Sequence, residues 1–280
     1  TPEKVRREKR LMKKTLIYIL LIVGGLMFAY PFLWMVSATF KPEVEIGSIG
    51  LWSSNFTMRS YTAVFQKIPI GRAFLNSIFV SACVTFSVIL FGSIVGYALS
   101  RLRFFGRDFL LGLILFTMVI PFQITLIPMY ILMVKFGWVD SYMALIVPGM
   151  ISAFGILLFR QFFMDIPQDL IDAAKIDGCN DFGILFKIIY PLSKPVIITV
   201  GIVSFMGSWN DVLWPLIVIR LQKLMTLPQM VTIFAVGGQA DGQLGAQLAA
   251  ATLLAVPVVL VYAFFQRYFI ESMATTGLKN

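Results

Sequence analysis

The chain has 280 residues, of which 59% are hydrophobic and 13% charged, with a mean hydropathy of +0.87 and a net charge of +9. Charge this sparse excludes an ordinary water-soluble globule of that length and makes a membrane protein the first expectation. The absence of His removes the commonest general base and the commonest metal ligand, so no catalytic residue and no metal site is expected.

Lys4, Arg6, Arg7, Lys9, Arg10, Lys13 and Lys14 make residues 1–14 a basic tail directly before an apolar run. Positive charge in that place suits a cytoplasmic anchor against membrane lipid better than a nucleic-acid surface. Residues 15–36 are the first predicted span; at about 1.5 Å per residue they reach roughly 33 Å, enough for a hydrocarbon core of about 30 Å. The run exceeds the roughly 7–15 apolar residues of a signal peptide, so a retained span is expected. Residues 37–73 make an external loop with Pro42, Pro69, Trp52, Phe56, Tyr61 and Phe65, long enough to cap the outer mouth or to meet a partner.

Five more apolar runs, 74–99, 109–133, 142–163, 196–219 and 248–270, each have a spanning length. They give a five-helix core over residues 74–270 and a cytoplasmic tail over 271–280. With the N-terminus inside, the inner segments hold sixteen of the 23 Lys and Arg, so both termini are expected in the cytoplasm. Cys83 and Cys179 lack CxxC spacing and are expected to be free. Trp34, Trp138 and Trp214 lie near span ends and suit interfacial anchors.

The inner loop 165–195 is the most polar stretch after the tail, yet it carries Leu170, Ile171, Ile176, Phe182, Leu185 and Phe186. Pro167 and Asp169 favour a helix start and Gly178 its end, giving a short helix over about 167–177. Phe182, Leu185, Phe186 and Ile189 recur at helical spacing and predict a second over about 181–190, before Pro191 and Pro195. Such a pair is either an amphipathic helix on the membrane surface or a docking knob for a cytoplasmic protein.

Polar residues inside spans are candidates for a solute path, because ionisable groups in lipid face a bundle interior or a wet cavity. Trp209, Asn210 and Asp211 could stack on a sugar ring and bond its hydroxyls, or could hold a broken helix before Pro215. Gln123, between Pro121 and Pro128, could line the path or satisfy a kink. Asn76 suits helix packing, and Gln239, Gln243 and Gln247 recur every four residues as one polar face. No GxxxxGK[ST] string is present, so ATP cannot be held here by a P-loop.

Asp172-Ala173-Ala174-Lys175-Ile176-Asp177-Gly178, then nine residues, then Ile188 and Pro191, resembles the EAA loop of ABC-importer permeases, the coupling helix that sits in a cleft of the ATP-hydrolysing subunit. Asp172 stands where that family has Glu and Tyr190 where it has Leu. The resemblance covers nearly the whole chain and is nearest to the carbohydrate branch related to the second maltose-permease subunit. Phe40-Lys41-Pro42, Asn76-Ser77, Arg101 with Phe105-Gly106-Arg107, Gly137 to Tyr142, Trp209-Asn210-Asp211 with Trp214-Pro215, and Gln266-Arg267-Tyr268-Phe269 carry it in order. The end, Thr276 to Asn280, is similar to the family's short tail, with Asn280 in place of Gly.

The resemblance implies an all-α membrane protein with six transmembrane helices, the type I ABC-importer permease fold, and both termini cytoplasmic. It implies that Asp172, Ala173, Ala174, Asp177, Gly178, Phe182, Ile188 and Pro191 couple to the ATPase. It further implies a homologous permease subunit, two ATP-binding cassette subunits that hold the ATP and Mg, an external solute-binding protein, and a multi-pass place in a bacterial or archaeal inner membrane. The chain itself binds no cofactor and is no enzyme on this reading. The alternative, an ion-gradient-driven secondary transporter, would need coupling carboxylates in several spans, where this chain offers mainly Asp211.

Overall fold

The computed structural model describes the backbone of residues 2–53, 55–237 and 242–277, and side chains over 11–53, 55–237 and 242–264. Among the described residues every regular element is a helix. The chain divides into two compact units, Thr1–Ile68 with Ile233–Ala255, and Pro69–Thr232 with Val256–Asn280.

In the first unit α1, Pro2–Ala38, is one helix that begins inside the basic tail, well before residue 15. Leu16, Leu20, Leu26 and Phe28 are all exposed on it, and a helix apolar all round with nothing packed over it is suited to lipid. The following segment folds back: the Tyr30 hydroxyl donates to Ile49 O at 2.5 Å and Trp34 Nε1 to Ser48 O at 3.0 Å. Trp34 is therefore half-buried against its own loop. Lys41 is only 1% exposed, and its ammonium donates to Ser48 Oγ and Gly50 O, which offsets the burial of a charge. Helix α2, Arg59–Lys67, makes part of the expected external loop regular.

The second unit is built on α3, Ile70–Arg101, which starts four residues before the expected span. Gly92 and Gly96 let a neighbouring helix approach closely: a Cβ on Gly96 would lie 2.7 Å from the Phe159 Cβ. Helices α4, Arg107–Val119, and α5, Phe122–Lys135, meet at a bend of 103°. The expected single helix over 109–133 is thus a bent pair. The bend falls at Ile120–Pro121, because a residue before proline is pushed out of the helical region, and Ile120 is extended with ψ 115°. Two stretches, α6, Tyr142–Ile146, and α7, Ala153–Met164, make up the span Tyr142–Met164.

Short helices α8, Gln168–Ile176, and α9, Asp181–Leu192, come next, the latter loosened to a π turn over Ile184–Ile189. Then α10, Lys194–Trp209, leaves α9 at 86°. The expected helix over 196–219 is interrupted after Trp209 and resumes as α11, Leu213–Val218. Trp214 is not an interfacial anchor. It is 3% exposed, its indole N–H donates to Ala144 O at 2.7 Å, and this buried bond draws it inward. Trp138 is half-buried. Helices α12, Leu227–Val236, and α13, Leu244–Gly277, complete the order. Among the described residues Leu11–Ala38, Ile70–Arg101, Tyr142–Met164 and Leu244–Phe264 are each long and apolar enough to cross a membrane, and the number is six if each bent pair counts as one span.

Candidate functional site

The 165–195 loop forms the pair of short helices that its residue pattern predicts, called the knob below for its shape alone. Asp169 sits in the first turn of α8 and Lys175 in the last, each at the end of the helix dipole that its charge favours. Gly178 ends the helix in the left-handed region, φ +79°; Cys179 N returns to Ala174 O and Gly178 N to Lys175 O, both at 3.0 Å. A Cβ at Gly178 would meet nothing within 4 Å, so the backbone angle, not crowding, calls for glycine. The Asn180 side chain then accepts from Gly183 N at 2.8 Å and caps α9.

The two faces of the knob differ. Ile171, Ala174, Ile184, Leu185 and Ile189 are buried in the core of the second unit. On the other face Ile176 is 87% and Phe182 63% exposed, with Leu170 and Phe186 beside them, and Phe182 stacks on Phe186 at 6.5 Å. Asp172, Ala173, Asp177, Gly178 and Pro191 are exposed as well, and Ile188 is half-buried. The Ala pair is therefore split, Ala174 inward and Ala173 outward. The Asp172 carboxylate accepts from Gln168 Nε2 at 3.0 Å.

Ser93 and Tyr97, which the sequence does not single out, and Arg101, which it marks only as part of a family string, attach the knob to α3. The Ser93 and Tyr190 hydroxyls lie 2.8 Å apart, and the Tyr97 hydroxyl donates to Asp181 Oδ1 at 3.2 Å. Arg101 donates to Phe163 O, Ile166 O and Gln168 Oε1. Only the four-residue spacing of Ser93, Tyr97 and Arg101 hints at this in the sequence, because several of the acceptors are backbone carbonyls, which no side-chain pattern reports.

The path candidates are less of one piece. Trp209 is 1% exposed, edge-on to Phe74 and stacked on Phe205. Asn210 is exposed and its amide donates to Met206 O at 2.9 Å, while Asp211 accepts from Trp214 N at 3.4 Å. Amide and carboxylate thus satisfy the backbone freed where α10 breaks. Gln123 is exposed in the first turn of α5, next to Phe122, whose ring is edge-on to Trp214. The bend of one pair therefore adjoins the break that follows the other. Asn76 is a packing residue: it donates to Lys223 O and Met225 O at 3.1 and 2.9 Å and accepts from the Tyr142 hydroxyl at 2.7 Å. Gln243 lines a cavity of about 460 Å³ with Lys41, Glu43 and Arg59 in the first unit. Gln239, the side chains of Gln266 to Phe269 and of Thr276, and residues 278–280 lie outside the described residues. Among the described residues no His, Cys, Asp and Glu group is placed to hold a metal, and Cys83 and Cys179 are free.

Residues 88–275 match the model of the family described as binding-protein-dependent transport system inner membrane component. The chain belongs to this family. This permease is 35% identical, over 90% of its length and 91% of the relative's, to the arabinooligosaccharides transport system permease protein of Halalkalibacterium halodurans. It is 31% identical to the protein of the same name from Bacillus subtilis, over 95% of both. Its fold matches, with a TM-score of 0.79 and 25% identity, a chain of a bacterial ABC transporter involved in the import of the acidic polysaccharide alginate, covering 92% of the permease and 96% of that chain. The permease is thus an all-α importer subunit of the type I fold with several apolar spans.

Proposed function

We propose that this permease forms half of the passage for a sugar or oligosaccharide and takes its energy from cytoplasmic ATPase subunits that grip the 165–195 loop. The single observation behind this reading is the two-faced knob. Its inner face, Ile171, Ala174 and Leu185, is rooted in the core, while its outer face, Ile176 and Phe182, is apolar and uncovered. A large apolar side chain held rigidly in water makes a good anchor for a pocket on another protein.

The remaining partners follow from the family: a homologous permease subunit completes the passage, two ATP-binding cassette subunits hold ATP and Mg, and an external binding protein delivers the solute. Residues 1–14 and 271–280 lie on the cytoplasmic side with the knob, and residues 37–73 outside, in a multi-pass inner-membrane arrangement. The arabinooligosaccharides in the names of two relatives support a carbohydrate solute. Asn210 and Gln123, both exposed, offer amides to sugar hydroxyls, with Asp211 beside them and Trp209 behind. ATP-driven closure of the ATPase subunits moves the knob, and the spans exchange one arrangement for another. No bond in the solute changes, so the permease performs no catalysis.

The test is to purify the permease with its ATPase subunits and repeat with Gly178→Val. Forcing a β-branched residue to φ +79° deforms the turn between α8 and α9. The ATPase subunits should then be lost from the complex; retention at wild-type level with unchanged hydrolysis would contradict the reading.

A further inference from the structure

Ser93, Tyr97 and Arg101 stand four residues apart on the inner end of α3 and so share one helix face. Their three attachments run from the base of the knob to its far helix. The Arg101 guanidinium donates through Nε to Phe163 O at 3.1 Å, through Nη2 to Phe163 O and Ile166 O, and through Nη1 to Gln168 Oε1 at 2.8 Å. It thereby joins the last turn of α7, the short connection and the first residue of α8. Gln168 passes the link on to Asp172 at 3.0 Å. Tyr97 holds Asp181 at the start of α9, and Ser93 holds Tyr190 near its end. Ser93 and Tyr97 are buried, where hydrogen bonds gain strength and their loss is felt.

The outer end of α3 is fastened in the same way. Asn76 holds the carbonyls of Lys223 and Met225, and Ser77 Oγ accepts from Leu227 N at 2.7 Å. Between the two ends α3 is uninterrupted, about 48 Å long at ~1.5 Å per residue, and locked to α7 through Gly92 and Gly96.

We propose that Ser93, Tyr97 and Arg101 form a latch that makes the knob and α3 move as one body, with Arg101 as its chief positioning residue. The proposal rests on the reading that ATPase subunits grip the knob. With the latch closed, the ATPase subunits cannot shift the knob without also shifting α3 and the 223–227 segment at its outer end, so hydrolysis waits for the passage to rearrange. With the latch open, the knob pivots on the connection between Met164 and Gln168, and hydrolysis proceeds alone.

The experiment uses the complete complex, co-purified with its ATPase subunits, and reads basal ATP hydrolysis with no solute and no binding protein. Arg101→Met, which keeps the stem and removes every donor, should raise the basal rate about fivefold or more, the lower end of usual coupling factors. Tyr97→Phe, which removes only a hydroxyl, should raise it less, and Arg101→Lys should return part of the control. A weakened fold lowers the rate, so the sign separates a latch from a merely structural role. Tyr97→Phe decides the matter if Arg101→Met does not assemble. Basal rates equal to or below wild type in the assembled variants would overturn the latch while leaving the docked knob intact. Failure of the wild-type chain to hold ATPase subunits would overturn the docking reading and the latch together.

Discussion

At the residue scale, the substitutions that matter most change one backbone angle or one buried hydrogen bond. Gly178 occupies the left-handed region with no other residue within 4 Å of an added Cβ, so Gly178→Val should destabilise the turn by about 1–2 kcal/mol through contact of the Cβ with its own backbone. Lower protection from hydrogen exchange confined to residues 168–192 would check this. Trp214→Phe keeps an aromatic ring but leaves Ala144 O without its donor. An unmade buried bond costs about 1–3 kcal/mol, which should appear as a lower unfolding temperature in detergent. Gly178 was legible in the sequence because only a few residue types tolerate its conformation, and the Ala pair and Pro191 stood at fixed distances from it. The contacts of Arg101 were not, because its acceptors at Phe163 and Ile166 are main-chain carbonyls more than sixty residues away. Trp214 misled because an aromatic near the end of an apolar run fits a membrane interface as well as a buried donor.

At the element scale, length and apolar content located the spans but not their breaks. The run over 109–133 is continuous in hydropathy, yet Pro121 turns the chain by 103°. The run over 196–219 is interrupted after Trp209, where Asn210 and Asp211 take up backbone groups. An apolar average is blind to both events. Packing between elements yields a sharper expectation. Gly96→Leu places a side chain where Phe159 and Arg160 already stand and should destabilise the α3–α7 contact by about 1–3 kcal/mol, read as reduced thermal stability. The outer face of the knob should behave in the opposite way. Ile176→Ser and Phe182→Ser alter exposed side chains, so stability should move by less than about 0.5 kcal/mol. Association with the ATPase subunits should nevertheless weaken by roughly 2 kcal/mol, the loss expected of an interface anchor, measurable as the apparent Kd of the purified subunits.

At the scale of the whole molecule, the proposed function requires the permease to convert motion rather than to catalyse, and requires the knob and the external segment to lie on opposite sides of the membrane. Sidedness is testable with cysteine chemistry. Cys179 lies on the knob, and Val44, 93% exposed, lies in the external segment. With Cys83 replaced by Ala, an impermeant maleimide should label Cys179 only from the cytoplasmic side and Val44→Cys only from the outside; labelling of both from one side would refute the topology. The excess of Lys and Arg in the inner segments is what carries this expected orientation, whereas the identity of the solute left no comparable mark on the chain. The most direct measurement of the central claim is uptake of a labelled sugar or oligosaccharide, presented by the permease's own binding protein, into proteoliposomes holding the full complex, with ATP inside and all ion gradients collapsed. Uptake that continues under those conditions and stops when ATP is removed is the predicted result; uptake that ignores ATP and requires an ion gradient would contradict it.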